Sequence, residues 1–262
     1  MSFWQRIISE KREKPKNWDK EADKFFKRSK QDEYQENLFS KMKISKEDTM
    51  LDLGCGEGSI TIPLAKKAKK VTAIDSSKRM LEILESKCKN QHINNVNIIK
   101  EDLENVTLEK VGKYDIVILS RSINGIYKIK ETLTNINNIA NKCVYITLFG
   151  PNNWKFEKNF YESINKEISE YHLDFPHYNY LFNILINMKI YSNVENLEIK
   201  TSRSYDSIED AANNGRWNLK NLTEKEKNQL FDYLNKNLSR NKVGKLENPD
   251  DKANWVLIWW KK

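Results

Sequence analysis

The sequence is short of several features, and each absence narrows what the chain can be. No stretch of eighteen apolar residues occurs among its 262, and 31% of them are charged, so no membrane-spanning helix is expected. The opening MSFWQRIISEKREK has neither a long apolar core nor a small-residue cleavage site, which argues against a secretory signal and for a cytoplasmic protein. Cysteine occurs three times, at Cys55, Cys88 and Cys143, with no CxxC pair. Reduced thiols are expected, not a disulfide frame or a zinc site, and no metal is expected. There is no internal repeat and no low-complexity linker.

What is present is 39% hydrophobic residues, with aromatics making up 11% of the chain, which is enough for a core. The length suits one large domain, or a domain of common size with additions. The net charge is +8, and 13 basic against 8 acidic residues between Met1 and Lys46 put five of those charges at the N-terminus. A basic arm suits nucleic acid or an anionic surface. Yet Lys alternates with Glu and Asp throughout, and a solvated face accounts for that pattern better than a phosphate-tracking groove.

The chain is organised around Met50 to Ile60, MLDLGCGEGSI. An apolar run ends in Asp52, and Gly54, Gly56 and Gly58 follow at every second position. This pattern predicts a buried strand entering a tight turn in which glycine permits positive φ and close approach of a ligand. Ser59, Thr61 and Pro63 then suit a helix start.

Before it, Ser2 to Met42 is helical in pattern with a break at Pro15, and Trp18, Ala22, Phe25 and Phe26 form one apolar stripe. Tyr34, Leu38, Phe39 and Met42 form another. These stripes are either plain core packing or a lid over the glycine turn. After it, strands are expected at Met50–Leu53, Val71–Ile74, Val96–Ile99, Tyr114–Leu119 and Cys143–Phe149. Helices are expected at Ile60–Lys69, at Ser77–Asn90 with Ser77 as cap, and at Ile129–Asn141. Such alternation implies a doubly wound α/β fold, in three layers around a mostly parallel sheet. Beyond Pro151 the rhythm breaks. Trp154–His177 has no strand signal; Tyr178–Tyr191, Ile208–Trp217 and Thr223–Ser239 read as helices, Val194–Tyr205 as a strand, and Trp255–Trp260 (WVLIWW) as a final strand. The expected organisation is a helical arm over residues 1–45 and one α/β domain over 46–262, with helical insertions at about 151–191 and 207–240.

In a parallel sheet the carboxyl ends of the strands gather ligands. The glycine turn, Asp75, Asp102 and Ser120–Arg121–Ser122 all fall there. Asp75, 19 residues after Gly56, is spaced to accept from both hydroxyls of a ribose, and Asp102 from an exocyclic amine. The alternative for both is a turn or cap acid. A nicotinamide-type GxGxxG fingerprint is not met, because Ser59 holds its third glycine position. Asp52 just before the glycines disfavours a pyrophosphate and favours an ammonium or sulfonium.

LDLGCGEG, VTAIDSSKRML, IIKEDLE and YDIVILSRSI, in that order, resemble the successive motifs of the class I S-adenosylmethionine-dependent methyltransferases. The resemblance covers Lys46 to Phe149 and extends loosely to WVLIWW, which would be the antiparallel last strand of a seven-stranded sheet. It implies that Asp52 and the backbone of Gly54, Cys55 and Gly56 hold the amino-acid part of S-adenosylmethionine, and that Gly58 allows close helix packing. It further implies that Asp75 binds the ribose, that Ser76 and Met80 flank the adenine, that Asp102 with the Leu103 backbone meets its amine, and that Ser120 and Arg121 close the site near the methyl. For Ser76 and Met80 the competing reading is a helix start and core filler, and for the Cys55 thiol it is packing.

The expected reaction is in-line methyl transfer, with S-adenosylhomocysteine as product. Strand four ends in SRSI, not in the Asn/Asp-Pro-Pro-aromatic signature of amino-group methylation, and no Pro-Cys pair or metal cluster is present. IDSSKRML resembles the small-molecule, type 11-like branch. The acceptor pocket is expected from the arm and from Trp154–Tyr191, with His172, His177, Tyr178 and Tyr180 as candidate proton acceptors. Arg121 either binds an acidic substrate or pairs with a nearby carboxylate. The competing functions are an RNA-modifying methyltransferase that uses the basic arm, and a non-catalytic cofactor-binding relative.

Overall fold

A computed structural model describes residues 3–12, 17–28, 33–150, 155–166, 177–200, 204–214, 219, 222–248 and 252–262. The chain divides into two compact units.

The larger unit comprises residues 1–150, 175–197 and 255–262. It opens with helices α1 (Phe3–Arg12), α2 (Trp18–Arg28) and α3 (Glu33–Lys41). Alternating strands and helices follow: β1 (Thr49–Leu53), α4 (Thr61–Ala65), β2 (Lys70–Asp75), α5 (Lys78–Asn90), β3 (Val96–Lys100), α6 (Leu108–Val111), β4 (Tyr114–Ser120), α7 (Ile129–Ile139) and β5 (Ala140–Phe149). Helix α8 (Lys155–Ser163) belongs to the smaller unit, while α9 (Tyr178–Asn187) returns to the larger one. Strand β6 spans Asn193–Lys200, and β7 (Ser204–Tyr205), α10 (Ile208–Asn214), α11 (Glu224–Asn237), β8 (Ser239–Arg240) and β9 (Leu246–Glu247) lead to β10 (Lys252–Lys261).

The main sheet has seven strands in the order β3-β2-β1-β4-β5-β10-β6. The first five pair in parallel, and β10 runs antiparallel to β5 with Trp255 opposite Phe149. The expected mostly parallel doubly wound sheet with an antiparallel last strand is therefore the observed one. Because the central strands are covered on both faces, they read as continuous apolar runs. Met50, Leu51 and Leu53 of β1 and Val117, Ile118 and Leu119 of β4 are fully buried.

The local boundaries differ where tertiary pairing overrides pattern. The helix expected to reach Asn141 ends at Ile139, since Ala140 and the residues after it join β5 beside Tyr114. The helix expected over Ile60–Lys69 is the short α4. The segment Val194–Tyr205 contributes two strands to two different sheets. Ser77 caps α5 as expected, accepting from the Met80 N–H, and Met80, Leu81, Leu84 and Cys88 line its buried face.

The smaller unit comprises residues 151–174 and 198–254. Its core is Phe156, Phe160, Tyr161, Leu230 and Leu234, closed by Tyr205 and Leu246 from the three-stranded sheet β7-β9-β8. Helix α11 starts with a reciprocal capping box, Thr223 with Glu226. Lys166 and the Thr223 backbone hold the Glu226 carboxyl down at about 2.

Candidate cofactor and acceptor site

Because β1, β2 and β4 are parallel neighbours, their carboxyl ends share one edge. There the chain leaves β1 through Gly54 (φ +74°), Gly56 (+54°) and Gly58 (+87°). The three glycines do different work. A Cβ on Gly54 would lie 2.3 Å from Ser122 Cβ, so this glycine admits the loop after β4. A Cβ on Gly58 would lie 2.3 Å from Leu84 Cδ1, so this one lets α5 close on the turn. Gly56 faces open space, with only the Met80 sulfur as near as 4.0 Å.

The N–H groups of Gly54, Cys55 and Gly56 are engaged by the end of β2. Gly54 and Cys55 both donate to the Ile74 carbonyl, at 2.8 and 3.1 Å, and Gly56 donates to Asp75 Oδ2 at 2.9 Å. The other oxygen of Asp75 accepts from the Ser77 N–H at 2.9 Å. A phosphate cradle presents free N–H donors; this turn consumes its own. What those backbones offer a ligand is close approach.

Asp52 sits beneath the turn, 1% exposed. Its Oδ2 accepts from the Thr61 hydroxyl at 2.7 Å, while its Oδ1 is buried with no hydrogen-bond partner among the described residues. Burial, with the nearby Asp75 adding to it, pushes the carboxyl up to about 7 against the pull of Thr61. A buried carboxylate with an unused acceptor is costly unless a donor, preferably cationic, completes it. Burial also raises Asp75, and its three backbone hydrogen bonds oppose that shift. The Cys55 thiol is buried beside Leu81 and Leu84 and is pushed well up by desolvation, which makes it a packing group.

The remaining candidates divide. Leu103 Cδ1 comes within 3.4 Å of a Cβ on Gly54. Asp102 is exposed and caps its own turn, accepting from the Glu104 N–H at 2.8 Å. Ser76 is exposed and Met80 is buried under Ala22 of α2. His177 and Tyr178 begin α9, where burial lowers the His177 pKa and Tyr178 packs on the main core. His172 lies outside the described residues.

The arm reaches this edge at three places. Trp4 of α1 donates to the Ile126 carbonyl at 2.7 Å, in the loop after β4. Asp19 of α2 accepts from the Ser77 hydroxyl (2.7 Å) and the Arg79 N–H (3.0 Å), and Asp23 pairs with the Arg79 guanidinium. Tyr34 of α3 is buried, its hydroxyl 2.7 Å from Ser120 Oγ and 2.6 Å from Thr147 Oγ1. Arg121 carries a left-handed φ of +60° and lays its guanidinium 3.3 Å over the Tyr34 ring and 4.6 Å from the Trp255 ring. Trp255 stacks on Phe149 at 4.4 Å. Sequence reasoning missed Asp19, Thr61, Thr147 and Trp255 as site residues, and took Tyr34 only for a stripe residue. Trp18, expected in the buried stripe, is 41% exposed.

A seven-stranded sheet with one antiparallel strand, a glycine turn closing β1 and an acid closing β2 defines the class I S-adenosylmethionine-dependent methyltransferases. The family described as "Methyltransferase domain" matches residues 44–227, and the chain belongs to that family. S-adenosylmethionine is its cofactor, and the orphaned, buried Asp52 oxygen and the open face of Gly56 fit a ligand with a cationic amino-acid part. Over 249 residues the chain is 26% identical to an uncharacterised protein of Haemophilus influenzae, covering 94% of this chain and 89% of that one. A shorter match, 37% over 75 residues, reaches the rRNA adenine N-6-methyltransferase of Bacillus licheniformis and spans 29% of this chain and 25% of the enzyme. Among solved structures, the YcgJ protein of Bacillus subtilis aligns with a TM-score of 0.55 at 12% identity, over 87% of this chain and 97% of that one, a likeness of fold. Among the described residues no cluster of His, Cys, Asp or Glu could hold a metal, and no helix is long and apolar enough to cross a membrane.

Proposed function

We propose that the protein methylates a small-molecule acceptor by in-line transfer, and that Asp52 is the anchor of its cofactor seat. The buried Oδ1 of Asp52, unpartnered among the described residues, carries the cofactor part of this reading. Bound S-adenosylmethionine supplies a methyl already activated on a sulfonium, so the protein has chiefly to align, enclose and exclude water. Asp52 accepts from the ammonium group. Gly56, with no side chain, admits the ligand against the backbone. Asp75, already held by backbone donors, turns its remaining lone pairs to the ribose hydroxyls. Met80 and Leu103 supply apolar walls, Asp102 and Ser76 lie at the exposed rim, and Ser120 marks the acceptor side. The arm covers the edge and excludes water.

Titration calorimetry with S-adenosylmethionine and S-adenosylhomocysteine tests this. Both are expected to bind, and Asp75→Ala is expected to weaken both. If neither ligand binds the unaltered protein, the reading fails.

One observation favours a second reading. The short matches to ribosomal RNA methyltransferases, with the basic arm, suit an RNA acceptor. An RNA gel shift that weakens steeply with salt would support it, and no shift at low salt would remove it.

A further inference from the structure

The two edges of the main sheet differ in charge. Asp52, Asp75 and Asp102 stand at the carboxyl ends of the parallel strands, around the glycine turn. The amino ends carry lysine: Lys67 and Lys69 ahead of β2, Lys70 opening it, Lys113 ahead of β4, and Lys261 and Lys262 at the end of the antiparallel β10. All six are exposed. Lys70 lies opposite Thr49 and Lys261 opposite Cys143, which brings them to one edge. β2, β1, β4, β5 and β10 are consecutive neighbours, so at about 4.8 Å per strand the row runs roughly 19 Å. Elsewhere exposed lysines sit against acids, as Lys78 does with Glu82, Lys158 with Glu162 and Lys245 with Asp206. Among the described residues none of the six forms an ion pair, and Lys113 donates only to the Asn138 carbonyl. The acids of this edge are already used: Lys142 holds Asp48 and Asp115, and Lys89 holds Glu85, while the exposed Glu47 has Lys46 next to it in the chain. Burial, and repulsion from Lys113, lower the pKa of Lys262. Such a row is completed by an anion from outside the chain.

An apolar group borders the row. Asn193 donates to the Trp259 carbonyl at 3.4 Å and Trp259 Nε1 to Glu195 at 2.8 Å, so β6 begins beside the end of β10. Around that beginning Tyr191 is 81% exposed, Ile186 42% and Val194 40%. Large apolar side chains at the rim of a basic face mark an interaction site, and tyrosine suits a boundary that is apolar on one side and wet on the other. A nucleic-acid backbone would use the lysines and leave Ile186 and Val194 bare. An anionic bilayer uses both, the lysines at its headgroups and the apolar tips just below them.

We propose that the amino edge of the sheet, the lysine row with Tyr191, Ile186 and Val194 at its rim, docks the protein on the surface of an anionic lipid bilayer. The five residues of β1 span about 17 Å, so the docked protein turns its glycine turn away from the lipid and toward solution. The test floats the full chain with vesicles of phosphatidylcholine alone and of phosphatidylcholine with about one-third phosphatidylserine. Binding to the anionic vesicles is expected to be about tenfold tighter or more and to weaken with salt. Lys69→Gln with Lys70→Gln is expected to lose about tenfold in that binding. Lys128→Gln with Lys130→Gln, the same loss of charge from exposed positions at the start of α7, is expected to lose less than about threefold. Tyr191→Ser keeps every charge and is expected to lose about threefold or more. Equal binding to the two kinds of vesicle, or equal losses in the two lysine pairs, would overturn the proposal. Unchanged binding in Tyr191→Ser would also overturn it, and would make the row a site for a polyanion such as nucleic acid. The vesicle comparison on the unaltered protein decides even if a variant misfolds. Thermal melting, not ligand binding, checks each variant's fold, so the outcome is separate from that of the cofactor titration.

Discussion

The two ends of the strand edge are built in contrasting ways. The glycine-turn end draws on one stretch of chain and its immediate neighbour: Asp52 bonds to Thr61, and Gly54, Cys55 and Gly56 bond to Ile74 and Asp75. The Arg121 end draws on residues 34, 120–121, 147–149 and 255, nearly the whole length of the chain. The first end is polar, tight and self-satisfied except for one carboxylate oxygen. The second is aromatic, with the exposed Arg121 guanidinium stacked on the Tyr34 and Trp255 rings. An edge that must hold one fixed cofactor can be local and rigid. The second end is instead fixed by packing between segments far apart in sequence.

Four perturbations test that contrast. The largest effect is expected from Gly54→Ala, where the new Cβ strikes Ser122 in a left-handed turn. Urea unfolding should show a loss of about 3 kcal/mol, whereas Gly125→Ala, with nothing within 4 Å, should be nearly neutral. Next, Asp52→Asn should weaken S-adenosylhomocysteine binding by about 30-fold or more in calorimetry. It should not lower unliganded stability at pH 8, since it removes a buried charge and leaves Thr61 an acceptor. A loss of stability without a loss of affinity would make Asp52 a purely structural acid.

The third effect is a pH dependence. With its carboxyl raised to about 7, folded Asp52 binds a proton that the unfolded chain releases between the ordinary carboxylate range and neutrality. Unliganded stability contributed by this group therefore falls as pH rises through that window. Affinity for the cationic ligand moves the opposite way, rising about tenfold from pH 6 to 8 as the carboxylate forms. In Asp52→Asn the profile should be flat over that range. The smallest effect belongs to the other end. Tyr34→Phe leaves the Ser120 and Thr147 hydroxyls without their shared partner and should cost about 1 kcal/mol, with S-adenosylhomocysteine affinity unchanged within about threefold.

The same contrast explains what was legible in the sequence. The strands, their order of motifs and the glycine turn could be read because each depends on neighbours in sequence. Apolar runs ending in an acid or a polar residue announced β1, β2 and β4, and Ser77 announced α5. The distinct tasks of Gly54 and Gly58 could not be read, since they depend on Ser122 and Leu84. Nor could the pairing of Tyr34 with Thr147, because a helical stripe of Tyr34, Leu38 and Met42 looks the same whether it meets core or site. Asp19 was hidden for a related reason: an acid in the first turn of a helix already has a local use, and its bonds to Ser77 and Arg79 span almost sixty residues.

The antiparallel insertion of β10 between β5 and β6 also has a consequence for biosynthesis. Strand β5 carries CVYITLF, a run without charge, proline or glycine, and its outer edge is satisfied only by β10. About a hundred residues separate Phe149 from Lys252. At about 5–20 residues per second, a ribosome needs on the order of 5 to 20 seconds to cross that interval. Throughout it a sticky strand edge of the kind that seeds misassociation stands open. The nascent chain is thus a natural client for chaperones late in its synthesis, and the sheet closes only after nearly all of this sequence has been made.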